Sequence, residues 1–306
     1  MAIWWLRCVG LVLSVGLASS AWAERKVLRV SYEDSPTAEY VVELLRMALP
    51  FSDVDYELDL QRISFTVPRL VEEIKEGNFE LMWTATNNDL EDQLLPIRVP
   101  LYKGLLGHRV FVIHPSLQSR FDQVDNLRDL QRFSLGQGRG WSDVEILEAN
   151  DLKVTVATKY GGLFHMVDGG RFDAFPRGVQ EPWQELKLRP ELQLTVEERL
   201  LLVYKMPYYL FTGRENRALA MDLEATLVRA IEAGAFDEFF FNYPQIKDVI
   251  SKANLADRKV FQLVNPQLPP KTPVDNPILW LDSRKLKEQA NAQMEQTTEG
   301  NLSSLY

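Results

Sequence analysis

The residues of this chain best placed to do chemistry are cations and aromatic rings that stand where strands end. Residues 170–181, GRFDAFPRGVQE, read as a strand that Pro176, Arg177 and Gly178 stop, which fixes Arg177 at its exit. A guanidinium there presents a planar fork of donors suited to a carboxylate or a phosphate. Glu181 follows one helical turn later if a helix begins at Gly178, so it is either the ion-pair partner of Arg177 or a second ligand contact. Residues 136–143, GQGRGWSD, place glycines where a strand turns into a helix, and Ser142 or Asp143 can cap that helix. Its free N–H groups could hold an anion with help from Arg139; a tight turn carrying a solvated arginine is the plainer alternative. Trp141 and Trp83 offer stacking faces, although tryptophans at strand ends also serve as core fillers. Tyr32 and Thr84 complete the set of candidate ligand contacts at strand ends.

Catalytic constellations are weaker. His108, His114 and His165 do not have HExxH spacing and no GxSxG elbow occurs, so neither a metal site nor a catalytic serine is expected. The one cysteine, Cys8, lies in the apolar leader, which excludes disulfides and cysteine ligands from the exported product. No cofactor is expected, and the chain reads as a binding protein rather than an enzyme. An enzyme on the same scaffold, dehydratase-like, with Glu181 and Asp143 as acids, is the alternative. So is a sensory or interaction protein without solute transport.

Positioning these residues falls to two α/β lobes. Residues 1–23 read as an export signal: Arg7 is the positive region, an apolar run follows, and AWA is a small-x-small cleavage site before Glu24. A periplasmic location without a membrane anchor follows. The net charge of -9 argues against nucleic acid as a partner. KVLRVSYED, EYVVELLRMAL, YELDLQRIS, VPRLVEEIKEGN and FELMWTAT alternate strand and helix signals, the pattern of a mostly parallel sheet covered on its faces. A second such unit begins after LLGHRVFVIHP. The expected division is 24–106 with 206–256 for a discontinuous first lobe, 107–205 for the second, and 257–306 for a proline-rich arm and polar tail. Crossovers are expected at GLLGHRV and LLVYKMP. Ligands of open parallel sheets bind beyond the carboxyl ends of the strands, so the candidate residues should line a cleft between the lobes.

The order of VLRVSYED, GNFELMWTATNN, PLYKGLLGHRV, GWSDVEIL, LFHMVDGGRFDAF and LFTGRENRALAMDLEATLVRAIEAGAFDEFF resembles the bacterial extracellular solute-binding proteins of family 3. The resemblance spans about Lys26 to Asn254. It implies a two-lobed periplasmic protein that closes on a small solute and delivers it to a transporter or receptor. Amino-acid binders of that family carry T-x-T-x-x-R after the third strand, with the arginine clamping the ligand carboxylate; this chain has TATNNDLEDQ, with Asp89 or Leu90 near that place. Where the family places an aspartate for the ligand amine, this chain has Arg177. The resemblance therefore implies a divergent subgroup with a rebuilt pocket, and Arg177 and Arg139 suggest an anionic solute.

Overall fold

A computed structural model describes residues 25–255 and 257–281. The chain opens with β1 (Lys26–Ser31), α1 (Pro36–Ala48), β2 (Tyr56–Gln61), α2 (Val67–Lys75), β3 (Met82–Ala85), α3 (Asn88–Gln93) and β4 (Leu95–Ile97). Helix α1 starts where the sequence demands it. Ser35 accepts the Ala38 N–H, Pro36 occupies the first turn, and Tyr40, Val41, Leu44, Leu45 and Ala48 recur on one buried face.

After β4 the chain crosses to a second lobe, built from β5 (His108–Ile113), α4 (Gln118–Phe121), α5 (Leu127–Leu130), β6 (Ser134–Gly138), α6 (Ser142–Ala149), β7 (Lys153–Ala157), α7 (Tyr160–Asp168), β8 (Ala174–Gly178), α8 (Pro182–Lys187), β9 (Thr195–Val196) and β10 (Leu200–Val203). It returns through β11 (Tyr208–Thr212), α9 (Arg217–Glu232), α10 (Ala235–Asn242) and α11 (Pro244–Lys252), and then enters β12 (Lys259–Gln262).

β1 and β2 pair in parallel, and β11 lies between β3 and β4. A seven-stranded sheet forms the second lobe in the order β12-β10-β5-β8-β6-β7, with β9 beside β5. Each antiparallel pair contains β5 or β11, the two strands that the chain enters as it passes from one lobe to the other; the remaining pairs are parallel. The crossovers themselves touch. Tyr204 donates its N–H to the Gly107 carbonyl, and a Cβ at Gly107 would lie 1.9 Å from the Tyr204 oxygen, so only glycine fits there.

Two expectations are corrected here. Pro176, Arg177 and Gly178 do not stop the strand: they are its last three residues. The ladder with β6 is confined to Leu135 and Ala174, so beyond Ala174 β8 is held along β5 alone, where a residue without an N–H is tolerated. The segment after residue 257 also starts as a strand, β12 extending the second-lobe sheet in parallel with β10, before it becomes the extended arm.

Candidate functional site

Strand β8 carries Arg177 into a buried cluster of charges. Because β8 runs through Gly178 and α8 begins only at Pro182, Glu181 sits just before that helix and folds back on the strand. Its Oε2 accepts the Gly178 N–H at 2.6 Å and its Oε1 lies 2.9 Å from Arg177 Nη2. A Cβ at residue 178 would come within 2.9 Å of Glu181 Oε2, so glycine is what lets the carboxylate approach. Arg177 also donates through Nε and Nη2 to Glu185, at 2.9 and 2.6 Å. The side chain is 6 % exposed.

A second guanidinium enters from β5. Arg109 donates to Asp143 at 2.9 Å, to the Tyr204 hydroxyl at 3.0 Å and to Glu181 Oε2 at 3.4 Å. Tyr204 in turn donates to Asp143, and Tyr160 to Glu185. Glu181 thus joins the two arginines, and the cluster holds three carboxylates against two guanidinium groups. Burial raises the Glu181 carboxyl above the usual range; Arg177 and Arg109 pull it down and Glu185 pushes it up, and the upward causes win. Burial likewise holds the Tyr204 and Tyr160 hydroxyls protonated, with Asp143 and Glu185 respectively adding to the effect.

Trp141 belongs to this cluster rather than to an open stacking wall. Its ring folds back over Gly138, where a Cβ would lie 2.3 Å away, and Arg177 Cζ lies 5.3 Å from its centroid. Phe175 and Tyr160 stand 4.9 and 5.6 Å from the same guanidinium, so Arg177 is enclosed by rings as well as by carboxylates. Of the alternatives open for Arg177, the ion pair with Glu181 is the one seen here, reinforced by Glu185.

The other expected residues stand apart from the cluster. Arg139 is exposed at the β6–α6 turn. Tyr32, half-buried after β1, lies under Arg62, whose Cζ is 5.9 Å from the ring. Trp83 packs on the first-lobe core from β3, and Thr84 follows it on the same strand, opposite Tyr209. Thr84 and Trp83 are both half-buried.

Polar side chains bridge the lobes near Asn87 and near Gln184, and Val110, Val179 and Leu201 of the second lobe pack in one core cluster with α1 and α9. Asn87, which caps α3 by accepting the Leu90 N–H, also donates to the Ser142 hydroxyl at the start of α6, at 3.3 Å. Gln184 on α8 donates to Asp248 on α11 at 2.6 Å. Sequence reasoning missed Arg109, Glu185, Asn87 and Ser142 as a set. Arg109 had a signal: it is the one charge in the apolar run RVFVI, and a charge inside a buried strand needs partners. Glu185 continues the spacing of Arg177 and Glu181 by four. Ser142 reads as a candidate cap of α6, but Trp141 holds that position without a side-chain cap bond, and Asn87 and Ser142 meet only because two lobes pack. Among the described residues no group of three metal-ligating side chains could hold an ion.

No family model matches the chain, and no curated protein does so in sequence. Solved structures do. The VFT2 domain of BvgS from Bordetella pertussis superposes with a TM-score of 0.56 at 16% identity, over 70% of this chain and 91% of that one. The shared architecture is the two-lobe solute-binding fold. An arginine-specific periplasmic binding protein of Salmonella typhimurium has the same fold at TM-score 0.52 and 14% identity, covering 70% of this chain and 97% of its own. So does the GluR0 ligand-binding core of Nostoc punctiforme in complex with L-glutamate, at 0.52 and 13%, covering 71% and 99%. In this chain the start of α6 and the loop after β3 meet, Ser142 against Asn87.

Proposed function

We propose that the chain captures a small polar solute of amino-acid size between its lobes and presents it to a transporter or receptor in the periplasm. The observation that carries this reading is the solute-binding fold with its lobes in contact at the strand ends, through Asn87 and Ser142. Among neighbours of this fold are an arginine-specific binding protein and a core in complex with L-glutamate, which supports a solute of that size. Export rests on residues 1–23, which lie outside the described residues; no helix of the described residues is long and apolar enough to cross a membrane.

The contacts proposed for the solute differ from those read off the sequence. Arg177 and Arg109 are engaged by Glu181, Glu185 and Asp143, and a cluster with one more carboxylate than guanidinium does not attract a further anion. We therefore assign the anionic end of the solute to exposed Arg139, beside the lobe contact at Ser142, and its apolar part to Tyr32 and Trp83. Arg177, Glu181 and Trp141 shape the floor and hold the second-lobe strands in place. Thr84 is kept as a polar contact.

A thermal-shift screen of the exported protein against the L-amino acids and small carboxylic acids tests the reading. A solute at about a hundred times its dissociation constant adds about 2.7 kcal/mol to stability. A complete absence of stabilised hits would favour a sensory or interaction protein whose lobes no longer take a solute.

A further inference from the structure

The residues from Arg258 onward run from the second lobe to the first across both crossovers. Their start is fastened to the second lobe. Arg258 is buried and donates to the carbonyls of Glu197 and Leu200 at 2.6 and 3.0 Å, and Asn150 exchanges two bonds with the backbone of Val264, at 2.8 and 3.1 Å. Their end is fastened to the first lobe. Leu279 is buried in the core cluster that contains α1, α9 and α10, and the Leu281 N–H donates to the Lys103 carbonyl at 2.8 Å.

Between these anchors the arm touches each crossover strand. In the first crossover Lys103 and Gly104 both have left-handed backbone, at φ 50° and 80°. Trp280 lies so close over Gly104 that a Cβ there would be 2.4 Å from its ring, and its Nε1 is tied to the Pro273 carbonyl at 2.8 Å. The Lys103 ammonium donates to the Ile278 carbonyl at 3.3 Å and pairs with Asp237 at 2.8 Å. In the second crossover the Lys205 ammonium stands 4.6 Å from the centroid of the same Trp280 ring, and Asn265 donates to the Lys205 carbonyl at 2.8 Å. One indole therefore touches the two strands that must bend for the lobes to move.

We propose that the arm from Lys259 to Leu281 is a hinge brace: Trp280 and Asn265 fix the two crossovers to one another and hold the lobes in the contact made by Asn87 and Ser142. Hinge closure is absorbed by a few crossover residues whose φ and ψ change, and a side chain wedged on both strands opposes that change. The proposal concerns lobe arrangement and holds whatever the lobes bind.

The test is an inter-lobe distance distribution by pulsed electron spin resonance on the full chain. Spin labels are placed at cysteines replacing Met221, 73% exposed on α9, and Glu148, exposed on α6, with Cys8 replaced by serine. The parent should give one narrow distance. Trp280→Ala and Asn265→Ala should each add a longer or broader population, while Trp280→Phe, which keeps a ring over Gly104, should stay near the parent. Distributions unchanged in both alanine variants would overturn the brace. Should Trp280→Ala fail to fold, Asn265→Ala alone decides, since it removes two side-chain hydrogen bonds, to the Lys205 carbonyl and from the Gln267 N–H, and no core packing. Failure to find a solute leaves this readout untouched.

Discussion

Arg177 Nη2 lies 2.9 Å from Glu181 Oε1 at the exit of a strand, in a site where both side chains are more than nine-tenths buried. The relationship changes what a substitution should do. A solvated arginine poised for a ligand would contribute little to folding, whereas removing one member of a buried, bonded pair leaves the other charge without a partner.

Arg177→Ala is therefore expected to destabilise the protein by about 3–5 kcal/mol with no solute present. Glu185→Gln should cost less, because its amide oxygen still accepts from Arg177. Urea unfolding of both variants beside the parent measures this. A loss under about 1 kcal/mol for Arg177→Ala would mean that the pair is solvated.

Acid titration should expose the excess carboxylate. Burial, with Glu185 adjacent, raises the folded-state value of Glu181 above the ordinary glutamate value of about 4.3. A raised carboxyl binds its proton more tightly when folded, so its contribution to stability is fully present below the unfolded value and is lost as pH rises through the folded one. Relative to Glu181→Gln, the parent should thus lose stability as pH rises above about 4. Unfolding free energies measured for both proteins across that window check this; a constant difference between them would contradict it.

Two neighbouring glycines should respond differently to alanine. At Gly138 the new methyl would meet the Trp141 ring at 2.3 Å, so Gly138→Ala is expected to cost about 1–3 kcal/mol and to alter tryptophan emission as Trp141 is displaced from Arg177. Gly140 has φ 79° and open space around its Cβ position, so Gly140→Ala should cost about 1–2 kcal/mol through the backbone alone and leave the emission unchanged. Equal spectral changes in both would show that Trp141 does not rest on Gly138.

How far the sequence reached follows from which interactions are local. The apolar spacing in EYVVELLRMAL, with Tyr40, Leu44 and Ala48 on one face, announces α1 because a buried face is encoded within one helix. The alternation of strands and helices was legible for the same reason. Arg177 could be located at a strand end but not partnered, since its choice between solute and carboxylate depends on how the chain runs between β8 and the start of α8 at Pro182. Arg109 reaches Asp143 from 34 residues away and Tyr204 from 95, distances over which spacing carries no information. KVFQ was too short to read as a strand, and its pairing with β10 is made by tertiary packing.

The central claim is that a solute binds between the lobes, and amide hydrogen exchange with and without a stabilising amino acid tests it most directly. Backbone amides at an enclosed site exchange more slowly when the site is filled. The account expects slowed exchange on both sides of the cleft together, at residues 139–145 in the second lobe and at 32–35 and 84–88 in the first. Slowing confined to one lobe, or on the outer face around Phe239 and Tyr243, would contradict it.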